Sequence, residues 1–169
     1  MFGDLRRSRI VAYSAAFVAL ITMGSWVSIP FFPVPITLQT LFVLLSGAVM
    51  KRYAIIPVSL YILFGAIGLP VFHNGIAGIG VLLGPTGGYL LGFLPVALIV
   101  GLVYEHDFWL GKIIGLISGT LVILGSGALW LCYSTGMAPV AAVVGGILIF
   151  LPGDAIKAGA TYLIAKRLP

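Results

Sequence analysis

Asp154 and Lys157 stand three residues apart in Phe150-Leu151-Pro152-Gly153-Asp154-Ala155-Ile156-Lys157, with apolar residues around them. A carboxylate accepts hydrogen bonds and an ammonium donates them. Inside hydrocarbon each costs several kcal/mol unless it is paired or solvated. On a helix the i, i+3 spacing puts both on one face. The pair therefore reads as a candidate ligand site. The plainer alternative is an ion pair that pins one helix and binds nothing.

Other polar groups that could join this pair are sparse. A glycine-rich segment, Gly68 to Tyr89, offers Asn74, Thr86 and Tyr89. Gln39 is the one side-chain amide inside an apolar run. Trp26, Phe31 and Phe32 flank a proline-rich loop and could close over a bound molecule. One carboxylate, one ammonium, two amides, a phenol and several aromatics suit a small, partly apolar ligand with a few hydrogen-bonding groups. They do not suit ion conduction, which needs rings or chains of polar groups. Each has a structural alternative: Asn74 as a turn residue before Gly75, Tyr89 as an interfacial anchor, Gln39 and Thr86 as internal hydrogen-bonding groups. A membrane enzyme using Asp154 as a base toward a lipid or prenyl group is the rival function. It would need a second carboxylate, a histidine pair or a metal motif at the same place. His73 and His106 fall in loops on opposite sides, and Cys132 is the single cysteine.

The elements that must position these groups are membrane helices. The chain has 169 residues, 61% hydrophobic and 8% charged, with a mean hydropathy of +1.22. A soluble domain carries about 25% charged residues. An all-α, polytopic membrane protein follows. Apolar runs place helices near 10–28, 36–50, 54–67, 87–104 and 110–132, with a last stretch over 139–166. The second and third are short for a bilayer core of roughly 30 Å. The basic residues preceding 10–28 resemble a signal-peptide flank, but the run is too long and no cleavage site follows, so it is read as the first span.

Arg6, Arg7, Arg9, Lys51, Arg52, Lys112, Lys166 and Arg167 fall on one side, eight of the nine Lys and Arg residues, and the ninth is Lys157. The loops 29–35, 68–86 and 133–138 contain none. The positive-inside rule puts both termini in the cytoplasm, which requires an even number of spans. That is also where a membrane topology wants positive charge, so the net charge of +5 does not call for nucleic acid. As one helix, 139–166 would extend about 42 Å at about 1.5 Å per residue. Pro152 offers a division into a short outer helix, 139–150, and a sixth helix from 152 to 167. Asp154 then lies in a first turn, where the helix dipole favours an anion. The pair is expected in the outer half of the membrane. The chain has no P-loop: Gly111-Lys112 is followed by Ile113.

Four segments carry a family resemblance. Phe31-Phe32-Pro33-Val34-Pro35-Ile36-Thr37-Leu38-Gln39-Thr40, Gly65-Ala66-Ile67-Gly68-Leu69-Pro70-Val71-Phe72, Leu83-Gly84-Pro85-Thr86-Gly87-Gly88-Tyr89-Leu90 and Pro152-Gly153-Asp154-Ala155-Ile156-Lys157-Ala158 resemble, in order, motifs of the BioY family. Members are biotin-specific substrate-binding (S) subunits of energy-coupling factor (ECF) transporters. The resemblance implies a single membrane domain over 1–169 with six helices, cytoplasmic termini and an outward-facing vitamin site in a prokaryotic plasma membrane. It implies biotin as ligand, no cofactor, no enzymatic activity of its own, and as partners a membrane coupling (T) subunit and ABC-type ATPases. Asp154 would accept the ureido N–H groups, Lys157 would meet the ureido carbonyl or the carboxylate, and Asn74 could read either. Tyr89 would pack on the rings. A relative specific for another vitamin is the close competitor. On the first helix, Ala12-x3-Ala16 puts small residues on one stripe, and the resemblance implies docking of the coupling subunit at Ala12 and Ala16. Ordinary packing is the alternative there; the similar row Gly111, Gly115 and Gly119 is read as packing within the bundle.

Overall fold

In the computed structural model of the chain, residues 2–168 are described; the two ends of the expected 1–169 domain lie outside them. The chain forms a helical bundle. Its main helices are α1 (Phe2–Trp26), α2 (Gln39–Met50), α3 (Ile55–Ala66), α5 (Gly87–Val103), α6 (Trp109–Thr135) and α8 (Leu151–Arg167), with short helices α4 (Ile79–Leu83) and α7 (Pro139–Val143) between them. A two-stranded antiparallel hairpin, β1 (Ser28–Ile29) and β2 (Ile36–Thr37), joins α1 to α2, pairing Ser28 with Thr37 and Ile29 with Ile36.

The surface has the inverted polarity of a membrane protein. Leu129, Val140 and Ile156 are each about three-quarters exposed, at 75%, 76% and 74%. Many other large apolar side chains face outward with them. A continuous apolar surface of this kind marks contact with lipid. Among the described residues four stretches are long and apolar enough to cross a membrane, Leu5–Trp26, Gln39–Ala66, Trp109–Thr135 and Pro139–Arg167, and the 17-residue α5 is also apolar.

The Gln39–Ala66 stretch is not one rod. Lys51 takes φ 57° and ψ −138°, ending α2, and a 3₁₀ turn over Lys51–Ala54 starts the chain back as α3. The reversal is visible against α1. Arg6, near the start of α1, donates to the Tyr53 hydroxyl at 2.8 Å, whereas Trp26, at its end, donates to the Pro70 carbonyl at 3.1 Å. Gly101 makes room for the turn: a Cβ there would lie 2.3 Å from the Lys51 carbonyl oxygen. This matches the two short helices expected from sequence.

Helices α5 and α6 pack as a hairpin along the glycine row. A Cβ on Gly115 would meet Val103 at 3.0 Å, and one on Gly119 would meet Val100 at 3.0 Å. Small residues let membrane helices approach closely enough for dispersion to hold them, since lipid supplies no hydrophobic drive between apolar faces.

The segment between α3 and α5 is anchored and not loose. Phe72 is fully buried, edge-on to Tyr61 at 5.6 Å, and fills the space left by Gly65. Trp130 on α6 donates to the Gly84 carbonyl at 2.9 Å. Helix α4 within this segment was not anticipated, because its five residues carry no period of their own.

The last stretch divides near Pro152 as expected: α7 and the turns after it end before α8 begins at Leu151, with Asp154 in its first turn. Phe150 keeps helical angles, φ −82° and ψ −28°, and Asp154 N–H bonds the Phe150 carbonyl at 2.9 Å. Proline in the first turn of α8 loses no needed hydrogen bond, so it does not break the path. The irregularity lies upstream, in a π turn over Val144–Leu148.

Candidate functional site

The starts of α2, α5 and α8 converge at the end of the bundle that carries the hairpin and the glycine-rich segment. Asp154 and Lys157 are both buried there, 2% and 8% exposed. Lys157 Nζ donates to Asp154 Oδ1 at 2.7 Å. From α2, Thr40 Oγ1 donates to the same oxygen at 3.0 Å. The carboxylate is thus held by an ammonium and a hydroxyl from across the bundle. No side-chain hydrogen bond caps the start of α8, so the expected dipole placement describes where Asp154 sits but not what holds it.

The pair is not saturated. Among the described residues Asp154 Oδ2 makes no hydrogen bond, and Lys157 spends one of its three donors on a side chain. Both residues line a narrow cleft of about 40 Å³. A purely structural buried pair is stable only when its remaining lone pairs and protons are also satisfied. Spare capacity facing a cavity is the arrangement of a pair that completes its hydrogen bonds with a ligand.

Apolar groups form the cleft walls: Leu90 and Phe93 from α5, Ile123 and Leu124 from α6, and Phe150 beside the start of α8. Tyr89 lines it too, but its hydroxyl is taken. It donates to the Gly146 carbonyl in the π turn at 2.8 Å, and the ring lies 6.0 Å from Phe150. Tyr89 is 8% exposed, which removes the interfacial-anchor reading. Gly127 sets the ring's position, since a Cβ there would lie 2.2 Å from Tyr89 Cε1.

Gln39 and Thr86 reach the cleft with their polar atoms partly engaged. Gln39 Nε2 donates to the Tyr61 hydroxyl, and its Oε1 accepts from Thr37 Oγ1 at 3.2 Å. Thr86 Oγ1 lies 3.4 Å from the Val81 carbonyl.

Asn74 stands apart. It occupies the left-handed region, φ 54° and ψ 21°, in the turn His73–Gly75, and is exposed. It lines an adjoining groove of about 440 Å³ with Phe31 and Phe32, not the cleft of Asp154. Asparagine tolerates this backbone region because its short side chain bonds locally. In this conformation Asn74 is a rim residue. Trp26 is likewise occupied by the Pro70 carbonyl.

His73 and Pro35 belong to both the groove and the cleft. Burial holds the His73 imidazole below its ordinary value, and its Nδ1 is buried without a hydrogen-bond partner among the described residues. Thr40 and His73 are therefore site residues that sequence reasoning missed. The signal for Thr40 was faint: Thr37, Gln39 and Thr40 cluster polar side chains at the start of an apolar helix.

A model of the BioY family matches residues 3–169. The chain belongs to the BioY family. It is 42% identical over 154 residues to the biotin transporter BioY of Thermotoga maritima, covering 90% of each chain. It is 37% identical over 163 residues to the probable biotin transporter BioY of Pyrococcus horikoshii, covering 96% of this chain and 97% of that one. Its fold matches a crystal structure of the S-component for biotin from an ECF-type ABC transporter with a TM-score of 0.88 and 30% identity, covering 97% and 92% of the two chains. As a BioY family member the chain is a multi-pass membrane protein with the S-component fold. Ala12 and Ala16 lie exposed on the outward face of α1.

Proposed function

We propose that this protein is a biotin uptake subunit that binds the vitamin in the Asp154–Lys157 cleft. The observation that carries the reading is the incompletely satisfied charge pair under apolar walls, in a chain of the BioY family. Biotin has a ureido ring with two N–H donors and a carbonyl, a thioether ring and a carboxylate tail. Asp154 Oδ2 accepts a ureido N–H, Lys157 donates its spare protons to a ligand oxygen, and Tyr89, Phe93 and Phe150 pack on the rings. An analogue that leaves these buried groups unpaired would be rejected strongly.

The charge asymmetry supports six spans, cytoplasmic termini and a cleft facing outward from the cell membrane. One membrane domain then performs the binding. Energy comes from partners: a membrane coupling subunit and ABC-type ATPases, with α1 presenting Ala12 and Ala16 to the coupling subunit.

Calorimetric titration of the purified chain with biotin, with other vitamins as competitors, tests the ligand. Binding of another vitamin in preference to biotin would overturn the assignment. Leucine at both Ala12 and Ala16 should leave biotin binding intact and abolish transport in cells. Loss of both, or of neither, removes the docking role.

A further inference from the structure

At the opposite end of the bundle a second cleft, of about 470 Å³, opens between the end of α2, the α5–α6 connection and the last turn of α8. Lys51, Lys112 and Lys166 line it, one from each wall. Two carboxylates are present, but each is already neutralised. Glu105 takes a two-pronged contact from Arg52 at 2.6 and 2.5 Å, and Asp107 takes Lys112 Nζ at 2.7 Å. Among the described residues Lys51 and Lys166 make no ion pair. The Lys51 charge also acts on the Asp107 carboxylate, but with two carboxylates against Lys51, Arg52, Lys112 and Lys166 this end keeps an excess of positive charge.

Two further observations point to a ligand. Tyr104 lines this cleft, and its hydroxyl is buried with no hydrogen-bond partner among the described residues, the whole residue being only 8% exposed. A buried hydroxyl without a partner costs about 1–3 kcal/mol, so it marks a place where an acceptor belongs. Lys51 is also held in position: its φ of 57° is unusual for a residue with a side chain, and its backbone is clamped against Gly101.

Depth in the membrane identifies the acceptor. Trp109 lines the cleft and is 62% exposed at the start of the apolar helix α6, beside Phe108 at 56%. Exposed aromatics at the end of an apolar helix sit at the headgroup level of a bilayer. Basic pockets between membrane helices at that level take anionic headgroups, and lysine binds phosphate as a point charge. We infer that this cleft is a phosphate site, filled in the membrane by an anionic lipid headgroup that bridges Lys51 and Lys166 and accepts from Tyr104.

Native mass spectrometry of the full chain in detergent, titrated with phosphatidylglycerol or phosphatidylcholine, tests this. Phosphatidylglycerol should be retained preferentially. Lys51→Gln and Lys166→Gln should each cut that preference about fivefold, from about 1 kcal/mol per lysine. Arg7→Gln, on an exposed basic residue of α1 at the same end, should leave it unchanged. Tyr104→Phe should weaken phosphatidylglycerol retention yet raise the melting temperature of the lipid-free protein, because it removes the unsatisfied hydroxyl. Equal retention of both lipids overturns the proposal, as does an effect of Arg7→Gln as large as that of Lys51→Gln. Inorganic phosphate at millimolar concentration is the second arm. If it binds and displaces phosphatidylglycerol poorly, the lipid assignment stands; if it binds with Lys51 and Lys166 dependence while the lipid does not, the lipid assignment fails. If neither binds and the lysine variants instead weaken association with a purified coupling subunit, the cleft is a protein contact and the inference is wrong.

Discussion

Thr40 Oγ1 lies 3.0 Å from Asp154 Oδ1, joining residues 114 positions apart in the chain. The contact ties α2 to α8 at the floor of the ligand cleft. It also fixes which carboxylate oxygen faces inward: Oδ1 carries Thr40 and Lys157, so Oδ2 is the one left for a ligand donor.

Thr40→Val removes this hydroxyl with little change of shape. A hydrogen bond to a charged group contributes about 1.5–3 kcal/mol. Biotin affinity measured by calorimetry should fall about tenfold or more, and Thr40→Ser should restore most of it. Unchanged affinity in Thr40→Val would mean that the orientation of Asp154 does not depend on Thr40.

The charge pair yields to a double-mutant cycle. Lys157→Met alone leaves a buried carboxylate without its cation and should destabilise by about 3–5 kcal/mol. Asp154→Asn with Lys157→Met removes both charges and should recover most of the melting temperature. Biotin binding should stay lost in the double variant. Recovery of binding together with stability would make the pair a structural pin only.

Tyr89 separates wall from tether. Tyr89→Phe loses the 2.8 Å bond to the Gly146 carbonyl and should cost about 1 kcal/mol of stability, with biotin affinity nearly retained. Gly127→Ala pushes a methyl into the Tyr89 ring at 2.2 Å and should lower both. Equal loss of affinity in the two variants would mean that the hydroxyl itself meets the ligand.

At the other end of the bundle, the side-chain hydrogen bond from Arg52 holds the Glu105 carboxyl down to about 2 from its usual 4.5. The folded value lies below the unfolded one, so the stabilisation is full above pH 4.5 and is lost as pH falls toward 2. Melting temperature in detergent should therefore decline across that acid window less steeply in Glu105→Gln than in the parent. Parallel curves would show that the Arg52 contact contributes nothing in solution.

Much of the bundle was legible because hydrocarbon is an unforgiving solvent. Apolar runs of spanning length and the one-sided lysines and arginines placed the main helices, including the reversal at Lys51–Arg52. The glycine row on α6 was readable for a similar reason, since small residues at four-residue spacing lie along one helix stripe. Helix α4 and the π turn were not legible: five-residue elements carry no period, and their hydrogen bonds are set by neighbours such as Trp130. Pro152 was a sound marker of the start of α8, because proline is favoured in a helix's first turn.

For the site, the sequence by itself determined that Asp154 and Lys157 must be paired, since charge in hydrocarbon is too costly to leave alone and the i, i+3 spacing puts the partner within reach. It also determined that the chain is a membrane bundle, through composition alone. Tertiary structure decided what surrounds the pair. It brought Thr40 to Asp154 from another helix, spent the Tyr89 and Gln39 polar groups internally, and turned Asn74 out to the rim. Those outcomes depend on which helix faces meet and which lone pairs are already filled, and contacts between distant residues leave no periodic trace along the chain.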